Sequence, residues 1–250
     1  KDTLTVSNET IIAADLEILK AAVTNVETLK FSSKVTGVDA TSLSQFSTFS
    51  FIGNDSVITK VADAQTIVTT ADVSVTAAGY KAGTASSDAT YVGKLMVDVT
   101  GGTAADGAAT PVVDQNNVTV SAFASSVTLN VKATAATSSA GGVATFAELT
   151  GDVGSATVNL TNSVAQATSR TATSDAVANF TLTTSDAATN GAYTELGNLT
   201  ALTLTGNGNA VIVNGDTGVL ATVDATALTG KAAFGGSVVT TGLDYTTSAN

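Results

Sequence analysis

Hydrophobic and polar residues alternate along most of this chain. The runs VETLKFSS at 26–33, DSVITKV at 55–61 and TIVTTADVSVTA at 66–77 place an apolar residue at nearly every second position. A period of two is typical of a β-strand that buries one of its faces. The runs are short and are separated by Gly, Asn and Asp, which favour turns. The pattern therefore predicts a mainly β-structure.

One segment near the N-terminus has a different period. Its apolar residues recur at helical spacing, at Ile12, Leu16, Leu19 and Val23. This spacing predicts one helix over 12–23, with Thr10 or Asn8 as its N-cap.

The middle of the chain has longer alternating runs, which include NNVTVSAF and SVTLNVKAT, separated by loops rich in Gly, Ala and Ser. Five or more such strands at this spacing are typical of a β-sandwich. The runs become short again after about residue 195. We therefore divide the chain into residues 1–87, a β-sandwich-like region at 88–185, and residues 186–250.

The two outer regions share sequence words. VDATSLS at 38–44 recurs as VDATALT at 223–229, and VETLKF at 26–31 matches the pattern of LTALTL at 199–204. Within the first region the two words begin 12 residues apart, at 26 and 38, and within the last they begin 24 residues apart, at 199 and 223. This predicts a repeat of about a dozen residues or twice that, as in a β-solenoid. The predicted fold is all-β, a solenoid interrupted by an inserted β-sandwich-like domain, with the two heptapeptides in equivalent coils.

Composition restricts the chemistry. The 250 residues include no Cys and no His, so disulfides, thiolate sites and histidine general bases are excluded. The formal charge of −11 argues against nucleic-acid binding and favours a hard cation as partner. No apolar run reaches the length of a membrane span, so membrane insertion is not expected. Serine lacks a partner base, and we expect no enzyme.

Three stretches carry a resemblance to a known family: VDAT followed by a small residue and Leu, TLTGNGNAVIV at 203–213, and GNDSVI at 53–58. They resemble bacterial S-layer proteins of the type I secretion route, whose calcium-ordered solenoids are related to repeats-in-toxin proteins. The family's glycine-rich nonapeptide is matched at 50–58 by Gly53, Asp55 and Val57. The copy at 205–213 keeps Gly206, Gly208 and Ile212, but it has Thr205 for the first glycine and Ala210 where the family has the calcium-binding Asp.

The resemblance implies calcium, and carboxylates in Gly/Asn/Asp turns are the ligands that the chain can offer. The candidate metal ligands are Asp55 and Asp216, followed by Asp152 and Asp106. The alternative for each is an Asx turn, in which the side chain bonds its own backbone.

The expected function is that of a structural segment of a self-assembling bacterial surface layer, extracellular and dependent on calcium for its lattice. Its partners would be copies of itself and, through other parts of a longer parent chain, a cell-surface glycan or lipopolysaccharide. One alternative is a segment of a large secreted adhesin, although the low aromatic content of 5% favours a scaffold. Another is a calcium-dependent β-helix polysaccharide lyase, for which Arg170 and nine lysines supply the available bases. Because the chain opens with Lys1 and shows no signal-peptide pattern, we expect a segment of a longer protein.

Overall fold

A computed structural model describes residues 1–7, 10–80, 92–100, 115–133, 144–162, 179–184, 200–206, 209–214, 222–229, 232–235 and 244–247. These residues form an α-helix, α1 (Ala13–Ala22), a 3₁₀ helix (Thr41–Leu43) and sixteen strands. The strands are β1 (Thr3–Val6), β2 (Thr28–Phe31), β3 (Val38–Asp39), β4 (Thr48–Phe51), β5 (Ser56–Val61), β6 (Thr66–Thr69), β7 (Val73–Ala77), β8 (Val92–Thr100), β9 (Gln115–Ala133), β10 (Ala144–Asn162), β11 (Asn179–Thr184), β12 (Ala201–Gly206), β13 (Asn209–Asn214), β14 (Thr222–Leu228), β15 (Ala232–Gly235) and β16 (Asp244–Thr247).

Every pairing between these strands is parallel, and strands alternate between two ladders. Ladder A runs in the order β1, β2, β4, β6, β8, β9, β10, β12, β14 and β16. Ladder B runs in the order β3, β5, β7, β9, β10, β11, β13 and β15. Outside β8 to β11, we call a ladder B strand together with the ladder A strand that follows it in sequence a rung; β3 with β4 and β5 with β6 are examples.

The two longest strands join the ladders. Each of β9 and β10 has 19 residues, and they pair with each other along their whole length. The first part of β9 pairs with β7 in ladder B, and residues 124–132 pair with β8 in ladder A. The same division occurs in β10, which pairs first with β11 and then with β12.

Both ladders contribute to one hydrophobic core. In ladder A the inward positions stack as Leu29, Phe49, Ile67, Val97, Leu129 and Val158, all fully buried. In ladder B, Val38, Ile58, Val75 and Val120 stack in the same way. Buried and part-exposed residues alternate along most strands, because successive side chains of a strand point to opposite faces.

The helix predicted for 12–23 is confirmed at Ala13–Ala22, but its predicted cap is wrong. The N-cap is Ile12, whose backbone N–H donates to the Asp15 carboxylate at 3.0 Å. A carboxylate in the first turn satisfies an N–H that has no intrahelical partner. Leu16 is the buried residue of the helix and attaches it to the core.

The predicted solenoid interrupted by a β-sandwich is wrong. The strands of the middle region, β8 to β11, pair in parallel with each other and with the strands on both sides of them, so no separate sandwich interrupts the ladders among the strands that the structure describes. The alternating pattern shows that one face of each strand is buried, but it does not show whether neighbouring strands are parallel or antiparallel. The prediction of a sandwich went beyond what the pattern contains. The boundaries at 87/88 and 185/186 lie outside the described residues.

The heptapeptides at 38–44 and 223–229 do not occupy equivalent positions. The first begins in β3 of ladder B and continues into the 3₁₀ helix, whereas the second lies almost entirely in β14 of ladder A. The spacing between ladder partners is also not constant: it is 25 residues from Thr3 to Thr28, 20 from Leu29 to Phe49 and 46 from Thr157 to Thr203, so neither 12 nor 24 residues is a fixed period. Among the described residues, no helix is long and apolar enough to cross a membrane.

Candidate interaction face

The outward side of ladder A repeats threonine from strand to strand. Over the nine strands from β1 to β14, one column of paired positions holds seven threonines, with Met96 at the fifth position and Asp224 at the ninth. The threonines are Thr3, Thr28, Thr48, Thr66, Thr128, Thr157 and Thr203. All nine side chains are exposed or partly exposed. We call the outward side of ladder A over these nine strands the threonine face. Threonine fits such a column because its branched side chain suits a half-exposed pleated surface.

A hydrogen-bonded row lies beside this column on the same face. Asn130 Nδ2 donates to Asp98 Oδ1, Asn159 Nδ2 donates to Asn130 Oδ1, and Thr205 Oγ1 donates to Asn159 Oδ1, each at 2.6 Å. The four residues are register partners on β8, β9, β10 and β12. The bonds all run toward the Asp98 carboxylate, and such chains polarise one another. The row therefore stabilises the register of β8, β9, β10 and β12.

The threonine face differs from the rest of the chain in charge. Its described charged side chains are three lysines, Lys30, Lys94 and Lys132, and two aspartates, Asp98 and Asp224. The face thus carries a formal +1, while the whole chain carries −11. The described residues of this face therefore carry none of the net negative charge of the chain.

The buried polar side chains of the described residues serve the corners of the rungs. Gln65 Nε2 donates to the carbonyls of Ala40 at 3.0 Å and Phe46 at 3.3 Å, and its Oε1 accepts from the Ala62 N–H at 3.1 Å. Ser56 Oγ likewise donates to the Gly53 carbonyl at 2.7 Å. Because these groups are bonded to backbone, their role is to hold the turns.

The two VDAT segments share a local structure rather than a position. Asp39 Oδ1 accepts from the N–H and Oγ1 of Thr41, at 3.0 and 2.7 Å. Asp224 Oδ1 does the same with Thr226, at 2.9 and 2.6 Å. These hydrogen bonds hold the pKa of the Asp224 carboxyl below its usual value.

Asp39 has an additional partner in the next rung. Lys60 Nζ contacts its Oδ2 at 2.5 Å, and Lys60 adopts φ +57° at a register shift of β5. Burial by itself would raise the pKa of the Asp39 carboxyl, but the hydrogen bonds from Lys60, Thr41 and Ser42 outweigh it and the pKa lies below its ordinary value. The bulge thus directs a lysine onto a carboxylate 21 residues away in sequence.

Two of the four predicted metal ligands, Asp55 and Asp152, lie in the described parts of the chain. Asp55 lies in the turn before β5 with φ +57°, and its carboxylate pairs with Lys34 Nζ at 3.4 Å. Asp152 lies within β10 opposite Phe123. Asp216 and Asp106 lie outside the described residues. Asp55 and Asp152 therefore lie on different elements, and the full predicted set stays a prediction.

The calcium prediction can be compared with the geometry of the described turns. Ca²⁺ takes six to eight oxygen ligands, usually with several carboxylates. Within the described ranges, no three acidic side chains come together as a possible metal site. Ala210, at the position of the missing ligand, lies inside β13 and pairs with Phe180 and Ala232. Calcium binding by this chain therefore stays a prediction.

Sequence reasoning missed the features that define this face. Each TxT or TxN triplet, such as TLT at 203–205 and TLN at 128–130, was visible as an alternating strand. Their alignment into one column depends on register between residues 18 to 46 positions apart, as between Thr48 and Thr66 or Thr157 and Thr203. The repeated triplets were the available signal. Comparison of the chain with protein-family models, curated proteins and solved structures finds no match.

Proposed function

We propose that this chain is a structural segment of a self-assembling bacterial surface layer, outside the cell, in which copies associate with one another. The observation that carries the proposal is the threonine face. It presents the same small, uncharged side chain on strand after strand, held by a continuous core and by the row from Asp98 to Thr205. A rigid, repetitive surface suits contact with an equally repetitive partner, and another copy of the chain is such a partner.

The charge distribution supports association between copies and gives calcium a role between them. At −11 per chain, copies repel one another unless their contact avoids the acidic surface or a cation offsets the repulsion. Exposed carboxylates such as Asp55 supply single oxygen ligands, and two chains together can supply more than one. We therefore place calcium between chains in this proposal, and anchoring to a glycan or lipopolysaccharide in other parts of the parent chain.

The test separates assembly from folding. The 250-residue chain, stripped with a chelator, is titrated with calcium, and its mass is followed by sedimentation while its β-structure is followed by circular dichroism. Magnesium at the same concentration serves as the matched control for ionic strength and charge. We expect calcium to raise the mass, chelator to reverse the change, and the dichroism to remain largely constant throughout. A folded chain that stays monomeric at millimolar calcium would contradict the proposal and favour the adhesin alternative.

A further inference from the structure

The first strand of ladder A is held from one side. Among the strands that the structure describes, β1 pairs with β2 alone. The inward residues of β1, Leu4 and Val6, pack against the core but stay partly exposed, whereas their register partners Leu29 and Phe31 are fully buried. Because stabilisation by burial grows with the apolar area removed from water, β1 is held less firmly than the strand beside it.

Few hydrogen bonds attach the ends of β1. The Thr28 N–H donates to the Asp2 carbonyl at 3.1 Å, and the Ser32 N–H donates to the Val6 carbonyl at 3.0 Å. The Asp2 N–H donates in turn to Glu27 Oε2 at 2.7 Å, in an exposed bond. Elements with few buried apolar contacts and exposed hydrogen bonds open locally at a lower cost than the core. We therefore expect β1 to separate from β2 while the rest of the chain stays folded.

The chain is held again at Thr10, by contacts that do not involve β1. Thr10 forms a parallel bridge with Thr36, and the Ile11 N–H donates to the Thr36 carbonyl at 3.0 Å. Ile11 itself is buried, and Leu16 attaches α1 to the core. Release of residues 1–7 therefore leaves these contacts in place.

The edge of β2 that β1 covers fits the same strand from another copy. Such a strand would restore the register of β1 with β2 and place Leu4 and Val6 on the same inward positions. The strand TLTV contains no charged residue, Pro or Gly, which commonly prevent an edge from pairing with another chain. Exchange of an identical element is a low-cost route to association, because it needs no new complementary surface.

We infer that copies of this chain associate by exchanging β1, so that residues 1–7 of one copy pair with β2 of another in the register found within one chain. Each copy gives one strand and receives one. The inference rests on the proposed self-assembly and names a contact through which it occurs.

Disulfide formation between different copies tests the exchange. The chain has no cysteine, so an introduced thiol is unique. Chains with Thr3→Cys and chains with Thr28→Cys are prepared separately, mixed in calcium and mildly oxidised. Because the two positions are register partners within disulfide reach, exchange should give the mixed dimer in several-fold excess over either homodimer.

The matched control mixes Ser74→Cys with Thr119→Cys. These positions are register partners on β7 and β9, which have paired strands on both sides and should not exchange. We expect no such excess from this mixture. The same yield of mixed dimer from both mixtures would overturn the inference.

A lock on β1 tests whether exchange drives association. The double variant with Thr3→Cys and Thr28→Cys is oxidised in chelator as a monomer, which ties β1 to its own β2. Its association in calcium should be at least about tenfold weaker than that of the same variant after reduction, which differs only in the disulfide. Circular dichroism checks that both forms fold. The next outward pair on these strands, Thr5→Cys with Lys30→Cys, repeats the test.

The outcomes also separate this inference from the proposed function. If the locked variant associates as well as its reduced form, β1 exchange is not the contact, while self-assembly itself stands. If the chain remains monomeric with and without calcium, self-assembly fails and the inference fails with it. Weaker association of the locked form, together with the mixed dimer of Thr3→Cys and Thr28→Cys, supports both.

Discussion

Replacing Asn130 by Ala should measurably destabilise the protein, because this side chain makes two bonds in the row on the threonine face. It donates to Asp98 and accepts from Asn159, both at 2.6 Å. A neutral hydrogen bond contributes about 0.5–1.5 kcal/mol and one to a charged group about 1.5–3 kcal/mol. Since the row is only partly buried, water replaces some of this. The two bonds together contribute about 2 to 4.5 kcal/mol, and we expect Asn130→Ala to lose about 2 kcal/mol, at the lower end of this combined range.

Urea unfolding followed by circular dichroism measures the loss. With a slope of about 3 kcal/mol/M, suitable for a chain of this size, a loss of 2 kcal/mol lowers the midpoint by about 0.7 M. Ser126→Ala is the control, because Ser126 lies on the same strand and the same face but outside the row. Its midpoint should change by less than a third of that amount, since surface substitutions usually change stability by under about 0.5 kcal/mol.

A double-mutant cycle isolates the bond between the two asparagines. The combined Asn130→Ala and Asn159→Ala variant should lose less stability than the two single variants added together, with a coupling of about 1 kcal/mol. Strict additivity, or an Asn130→Ala midpoint no lower than that of Ser126→Ala, would show that the row does not stabilise the strands.

Three further predictions concern the core, a turn and one ion pair. Phe51→Ala should cost about 3–5 kcal/mol, since its fully buried ring stacks on Phe31 with centroids 5.3 Å apart; a urea midpoint near wild type would contradict this. Gly206→Ala should cost at least about 2 kcal/mol in the same assay, because φ is +94° and a Cβ would lie 1.8 Å from the Leu160 carbonyl oxygen, whereas an unchanged midpoint would show that the turn relaxes. Asp39 has a lowered pKa, so its pairing stabilises the fold above pH 3.8 and is lost as the pH falls through the folded pKa; the stability difference between wild type and Asp39→Asn should therefore shrink below pH 3.8, and a difference independent of pH would exclude the carboxylate's role.

Features that depend on neighbours in sequence could be predicted from the sequence. The helix at Ala13–Ala22 follows from apolar spacing within about a dozen residues, and the strands follow from alternation within four to eight. The repeated VDAT words indicated a shared structure, and both copies do form the same hydrogen bonds from Thr to Asp two residues earlier. Such bonds form within one short segment, so the same letters give the same local geometry wherever the segment lies.

Features that depend on which strands meet were decided only by the tertiary structure. The alternating pattern of β9 and β10 fixes which side chains are buried, but parallel and antiparallel pairing bury them equally well, so the sequence did not exclude an inserted sandwich. Likewise, the sequence of its own turn predicts Asp55 as a calcium ligand. The fold places Lys34, 21 residues earlier in the chain, beside its carboxylate. The row from Asp98 to Thr205 requires register across separations of 29 to 46 residues. Loop lengths and packing set that register, because no hydrogen bond within a short segment can specify which distant strand lies alongside it.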